Sequence, residues 1–316
     1  MKIIKIKNKD KGERLDKFLT KVLDELSRSQ IQKLIKEGEI FVNGKVSAVH
    51  YNLKEGDEIK IKKLETEMKK KEKKQKLPVP KIEIIEETED YFVINKQAGL
   101  AVHGAPHMKE IALIDALLKK EPKLKDVGDD PGRPGVVHRL DKDVSGLLVV
   151  AKNQKTFESL KKQFKKRTVE KEYTGLVYGK ITKDYDIINF PISRASAGYK
   201  MAALPLTQKG EINTAGKKAI TEIFVLRKFV NFTLLKIKIK TGRTHQIRAH
   251  MAAYGHPLVG DDLYSTRKTR LQNKKWDLGR IFLVASKLSF KNLENIRKEF
   301  QIDLSKDLKM FLEKIK

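Results

Sequence analysis

Apolar positions along this chain recur at two spacings, and the changes of spacing divide it into segments. Leu15, Phe18, Leu19, Val22 and Leu23 repeat every three or four residues, which predicts an amphipathic helix entered from Gly12. Ser27 is placed to cap a second helix through Ile31, Leu34 and Ile35, and Gly38 to end it. Ile40 to Val46 then reads strand, turn, strand, because Asn43-Gly44 is the strongest short hairpin signal. Glu58 to Ile61 alternates polar and apolar and reads as one more strand. From Lys62 to Lys76 the pattern vanishes into eight Lys and three Glu. Such a segment cannot bury enough surface to fold alone. Residues 64–79 are therefore expected to be a flexible Lys-rich linker between a small unit at 12–63 and a larger one at 80–316.

In the larger unit, Ile82 to Ile85 and Tyr91 to Lys96 predict two strands, and Ile111 to Lys119 a helix. Val127 to Pro134 is a loop rich in Gly, Asp and Pro. It delivers the chain to a charged turn, His138 to Asp143, which feeds an unbroken apolar run from Leu147 to Ala151. That run reads as a buried central strand. Gln154 to Arg167 follows as a helix with Phe157, Leu160 and Phe164 on its apolar stripe. Glu172 to Tyr178 is a strand, and Pro191 to Gly216 a long polar insertion. Ala219 to Leu226 and Asn231 to Lys240 are expected to pair antiparallel. In the second of these, Phe232, Leu234, Ile237 and Ile239 form one face against Lys236, Lys238 and Lys240. Thr244 is placed to cap a helix carrying His245, Gln246, Arg248 and His250, which Gly255 ends. Strands and helices do not alternate as βαβ units. The expected class is α+β, with a central, mainly antiparallel mixed sheet and flanking helices.

Charge and composition narrow the function. Lys and Arg number 68 against 41 Asp and Glu, a formal net charge of +27, which favours a polyanionic partner. A merely lysine-rich protein would share that bias. There is no Cys, which removes disulfides, thiolate metal sites and a cysteine nucleophile. No stretch is long and apolar enough for a membrane span, and the N-terminus lacks an apolar signal core, so a cytoplasmic protein is expected. No phosphate-binding GxxxxGK[ST] loop, GxGxxG or HExxH is present. What remains is a carboxylate, a phenol and a guanidinium, groups that can carry covalent chemistry without cofactor or metal.

Three blocks carry those groups. His138 to Asn153 reads HRLDKDVSGLLVVAKN, Lys171 precedes EYTGLVYG, and Thr241 to His250 reads TGRTHQIRAH. In this order they resemble the RluA-type pseudouridine synthases, closest to the RluD- and RluC-like group, and the N-terminal unit resembles an S4 RNA-binding domain. The resemblance covers nearly the whole chain. It implies isomerisation of uridine to pseudouridine in structured RNA, with 23S ribosomal RNA as the expected substrate and tRNA the alternative. A non-catalytic ribosome-assembly factor is the competing class. Asp141 takes the nucleophile's place, Arg248 that of a cation keeping it ionised, and Tyr173 that of the site tyrosine. Arg139 is expected to fill the space left by a flipped-out base. His138, Arg243, His245 and Gln246 are expected to contact RNA, as are Arg14, Arg28, Ser29, Lys33 and Lys36 in the S4-like unit. The bland alternatives are a turn-capping Asp141, a core Tyr173, a structural salt bridge at Arg248 and a solvated basic helix face. A monomer with no cofactor, metal or membrane contact is expected. Three positions depart from the family pattern: Gln97 stands for the usual Pro, Val144 for Thr, and Val284 for His.

Overall fold

The computed structural model describes residues 2–23, 26, 28–61, 79–104, 110–195, 198, 200–204 and 216–316. Ser27, nearly all of the expected linker and the tip of the polar insertion lie outside the described residues. The chain divides into two units: Met1–Pro80 with His103–Ala116 and Asp130–Gly132, and Lys81–Val102 with Leu117–Asp129 and Arg133–Lys316.

The first unit holds β1 (Lys2–Lys5), α1 (Leu15–Val22), α2 (Arg28–Lys36), β2 (Ile40–Val42), β3 (Lys45–Val46) and β4 (Glu58–Ile61). Its sheet runs β1-β4-β2-β3, every pair antiparallel. Asn43 and Gly44 take φ of 52° and 75°, the left-handed pair that a two-residue hairpin of this twist requires. Leu15 and Leu19, and Ile31 and Ile35, sit four apart on their helices and bury completely against Ile40, Ile59 and Ile61. Val22, expected on that face, is exposed. The helix ends there, and Leu23, just past its end, takes the core position.

The second unit is built on β5 (Glu83–Glu87), β6 (Tyr91–Lys96), β7 (Ser145–Ala151), β8 (Glu170–Tyr178), β9 (Tyr185–Ile188), β12 (Thr221–Lys228), β13 (Phe232–Ile239), β14 (Leu283–Lys291) and β15 (Arg297–Gln301). They form a nine-stranded sheet of order β5-β6-β7-β14-β8-β13-β12-β9, with β15 on β14. All pairs are antiparallel except β7 with β14. The division between the units falls within α3 (Leu113–Lys120), and the second unit adds α4 (Gln154–Lys166), α5 (Gln246–Ala253), α6 (Arg267–Trp276) and α7 (Lys306–Lys314) among the described residues. The class is α+β with a mixed sheet, as the sequence pattern implied.

Two details depart from that pattern. Within the polar insertion, β10 (Ile192–Arg194) and β11 (Met201–Ala203) pair antiparallel, and Ile192 is buried. The expected stripe on β13 spans two faces. Phe232 and Leu234 pack with Tyr178, Phe282 and Phe311, whereas Leu235 and Ile237 bury on the opposite side. Both faces of a central strand are covered, so apolar residues need not alternate there.

Three central strands set the site. Gly146 on β7 aligns with Ala285 on β14, and Ala285 aligns with Tyr173 on β8. Gly146 has φ 119°, and a Cβ there would stand 2.4 Å from the Ala285 carbonyl oxygen. Only glycine lets β7 approach β14 this closely.

Candidate active site

Asp141 stands four residues before β7, in a loop anchored by buried Leu140 and Val144. The Val144 amide donates to the Asp141 carbonyl at 3.2 Å, closing the turn. The next carbonyl, of Lys142, accepts from the Gly99 amide at 2.9 Å and from Lys96 Nζ at 3.1 Å. Lys96 Nζ also donates to the carbonyls of Gln97 and Leu100, each at 2.8 Å. This buried ammonium fastens the turn after β6 to the loop of Asp141. Burial lowers its pKa to about 7, opposed by the charges of Asp141 and Asp143. The sequence reading passed over Lys96. Its signal was a lysine two residues beyond Ile94, at the buried parity of β6.

The Asp141 carboxylate opens into a cavity of about 310 Å³ that Tyr173, Arg139, His245 and Arg248 also line. Arg248 Nη1 lies 3.5 Å from Asp141 Oδ2, and His245 Nε2 lies 4.0 Å from the same oxygen. The cation expected beside Asp141 is thus in place, but its two-pronged pairing goes elsewhere. Arg248 Nε and Nη2 donate to Asp261 at 2.7 and 2.9 Å, and both side chains are buried. Asp261 Oδ1 also accepts from the amides of Leu263 and Tyr264, each at 3.1 Å. The guanidinium carbon of Arg248 lies 5.2 Å from the centre of the Tyr264 ring. The Tyr264 hydroxyl accepts from the Met201 amide at 2.8 Å and lies 3.0 Å from His245 Nδ1. Arg248 is therefore fixed by Asp261 and offers its remaining Nη1 to Asp141. Asp261 and Tyr264 were not found from sequence, because neither belongs to a recognised block.

Tyr173 is buried on β8. Burial and the nearby Asp141 charge hold its phenol protonated far above its ordinary range. Arg139 is exposed at the rim of the cavity. Arg243 also lines it, its Nε donating to the Lys218 carbonyl at 3.2 Å.

Two expectations, Gln246 as an RNA contact and Thr244 as a cap, are corrected, and His138 lines the cavity with one ring nitrogen engaged. Gln246 is buried and its amide is fully engaged. Its Oε1 accepts from Thr241 Oγ1 at 2.7 Å and from the Arg243 amide at 3.1 Å, and its Nε2 donates to Ile220 O and Thr221 Oγ1, each at 3.0 Å. It braces the turn into α5 and has no valence left for RNA. His138 accepts from the Val149 amide at Nε2, 3.1 Å, and stacks on Phe164 with ring centres 4.5 Å apart. Burial, aided by the Lys171 charge, lowers its pKa to about 3, so it braces β7 as a neutral ring. Thr244 does not cap α5. His245 occupies the cap with φ 51°, in the left-handed region, which points its ring at Asp141 and Tyr264.

In the first unit, Asp16 is fully buried and gathers the expected RNA-facing arginines. Arg14 donates to it through Nε and Nη2 at 3.1 and 3.0 Å, Arg28 through Nε and Nη2 at 2.9 and 2.8 Å, and Gln32 through Nε2 at 2.8 Å. These donors outweigh the cost of burial and hold its carboxyl well below the usual range. Lys33 pairs with Glu37 at 3.5 Å, and Lys36 is exposed. The Ser29 side chain lies outside the described residues. Among the described residues, no three His, Asp or Glu are placed to hold a metal ion, and no helix is long and apolar enough to cross a membrane.

Known proteins resemble this chain over most of its length. An uncharacterized RNA pseudouridine synthase of Aquifex aeolicus is 40% identical over 270 residues, covering 84% of this chain and 81% of that protein. The ribosomal large subunit pseudouridine synthase C of Vibrio parahaemolyticus is 32% identical, covering 90% and 86%. The ribosomal large subunit pseudouridine synthase D of Blochmanniella floridana is 36% identical, covering 80% and 76%. Among solved structures, human RNA pseudouridylate synthase domain containing 1 superimposes with a TM-score of 0.58 at 26% identity, covering 72% of this chain and 85% of that one. The S4 domain family matches residues 13–59. The RNA pseudouridylate synthase family matches residues 90–253, which take in Asp141, Tyr173 and Arg248, and this chain belongs to it.

Proposed function

We propose that the protein converts specific uridines of large-subunit ribosomal RNA to pseudouridine, with Asp141 as nucleophile. The observation that carries the reading is the placement of the Asp141 carboxylate. It faces the cavity beside Tyr173, 3.5 Å from an arginine whose other edge is locked to Asp261. The substrate class is supported by the relatives named ribosomal large subunit pseudouridine synthase C and D, and by the S4 match. A carboxylate oxygen of Asp141 bonds to ribose C1′ or to uracil C6, and the N1–C1′ bond breaks. The uracil turns, C5 bonds to C1′, the bond to Asp141 breaks and returns its carboxylate, the C5 proton leaves and N1 regains one. Nothing is oxidised or reduced. Arg248 faces the Asp141 carboxylate through Nη1 at 3.5 Å. Tyr173 stacks on the uracil and takes the C5 proton only as it passes on its own, because its phenol starts protonated. A stacked base is out of reach, so the uridine must be flipped out, and Arg139 fills the gap it leaves. Residues 12–63 bind RNA through Arg14, Arg28, Ser29, Lys33 and Lys36, residues 64–79 tether them, and residues 80–316 catalyse. The enzyme acts in the cytoplasm as a monomer.

Asp141→Asn tests the assignment. It should bind ribosomal RNA as the parent does and form no pseudouridine. With 5-fluorouridine in the RNA, the parent should form a slowly resolving complex and the variant none. Asp143→Asn should keep substantial activity. Full activity in Asp141→Asn refutes the nucleophile; equal loss in both variants points instead to a collapsed loop.

A further inference from the structure

Beside the cavity of Asp141 lies a second one of about 220 Å³, between the end of α4, the start of β8 and the turn after β13. Lys165, Arg167, Lys171, Lys240 and Arg243 line it, and none of its lining side chains among the described residues is acidic. Two of the five are partly engaged: Lys240 pairs with Glu222 at 3.6 Å, and Arg243 donates to the Lys218 carbonyl. Lys165 and Arg167 are exposed at the end of α4, where the helix dipole alone favours cations.

Lys171 is different. It lies on β8 two residues before Tyr173, so both side chains leave the same face of the sheet, about 6.6 Å apart along the strand. Its ammonium is 5.5 Å from the centre of the Phe164 ring and pairs with no carboxylate among the described residues. Burial alone lowers its pKa to about 8. A half-buried cation without an anion is costly to keep, and such groups mark sites that receive one. Lys171, Phe164, Ile239, Gly242 and Arg243 line both cavities, so the ammonium stands at the boundary with the catalytic pocket. A Cβ at Gly242 would lie 3.7 Å from Lys171 Nζ, so a longer side chain there would compete for the space in front of it.

We propose that this cradle binds one backbone phosphodiester of the RNA strand next to the flipped uridine, with Lys171 as its central ligand and Lys165 and Arg167 at its outer edge. The proposal rests on the pseudouridylation reading. It assigns the phosphate contact that fixes the strand while the base turns, a contact that positions without reading sequence.

Phosphate-ethylation interference on end-labelled large-subunit ribosomal RNA fragments tests it with the full chain. Conversion of uridine is scored separately on the same fragments, so failure of the isomerase reading and failure of the cradle are told apart. With the parent, ethylation of one phosphate close to the bound uridine should weaken binding about tenfold. Lys171→Met should bind about tenfold more weakly and be insensitive to that ethylation, whereas Lys171→Arg should restore both. Arg167→Gln and Lys165→Gln, at exposed positions that tolerate change, should each reduce the salt slope of RNA binding by about one. Removing the 5′-terminal phosphate of the RNA should change nothing. An identical ethylation pattern in the parent and in folded Lys171→Met overturns the proposal. So does a loss that follows the 5′-terminal phosphate, or an unchanged salt slope in both exposed variants.

Discussion

Asp261→Asn is expected to disable the site without touching it. The variant keeps the shape of Asp261 and one carbonyl oxygen, but replaces the second oxygen with an amide that cannot accept a hydrogen bond. Asp261 takes four donors, Arg248 Nε and Nη2 and the amides of Leu263 and Tyr264. The amide must therefore confront either Arg248 Nε, or Arg248 Nη2 together with the two backbone N–H groups. Removing one member of a buried ion pair costs about 3–5 kcal/mol, because the other charge stays uncompensated. Asp141 at 3.5 Å still faces the guanidinium, which places the expected loss near the lower bound, at about 3 kcal/mol. Turnover should also fall, by about a hundredfold, since an arginine released from Asp261 no longer presents Nη1 to Asp141 in a fixed geometry. Urea unfolding followed by fluorescence reads the first effect. The single tryptophan, Trp276, packs on the aromatic cluster of the second unit and reports on that unit. Tritium release from uridine labelled at C5 reads the second. RNA affinity should not move. If Asp261→Asn matches the parent in both midpoint and turnover, Arg248 is not held by Asp261 in any way that matters to the reaction.

Two further perturbations address the supports around this pair. Lys96→Met keeps the length of the buried side chain and removes its three donated hydrogen bonds. Turnover should drop about tenfold with little change in KM, and an unchanged kcat would remove Lys96 from the positioning of the Asp141 loop. In the first unit, the Asp16 carboxyl is held below its unfolded value of 3.8, so its contribution to stability is fully present above about pH 4 and declines as pH falls toward the folded value. Hydrogen-exchange protection of residues 13–59, corrected for intrinsic rates, should show this decline in the parent and not in Asp16→Asn; the same pH profile in both would remove Asp16 as the cause.

What the sequence made legible was local. The Asn43-Gly44 hairpin, the four-residue spacing of Leu15 with Leu19 and of Ile31 with Ile35, and the unbroken apolar run of β7 each follow from backbone geometry over a few residues. Asp141, Tyr173 and Arg248 were legible because each lies inside a compact block, and the fold brings all three to one cavity. The polar supports were not legible. Asp261 has meaning only once the loop after α5 folds back so that its carboxylate meets Arg248, thirteen residues away. Gln246 sits in a block of reactive character, yet its amide is used up bracing the turn into α5, which no spacing rule distinguishes from a residue facing substrate.

The same limit explains β13 and β14. A strand covered on both faces has no reason to alternate, so the expected stripe on β13 divides between two cores. Periodicity likewise cannot tell that residues 283–291 insert between β7 and β8, parallel to one and antiparallel to the other. That insertion makes the site. It aligns Gly146, Ala285 and Tyr173 across three strands, and the close approach of β7 to β14 at Gly146 leaves the preceding loop little freedom. The Lys96 ammonium then fixes the backbone beside Asp141, while Asp261 fixes the arginine opposite it. Two supports from distant parts of the chain thus hold the partners of one 3.5 Å contact. A carboxylate and a guanidinium restrained separately are spared the side-chain entropy that a pair held only by mutual attraction would lose. The remaining Nη1 can therefore face the Asp141 carboxylate without drawing it out of position.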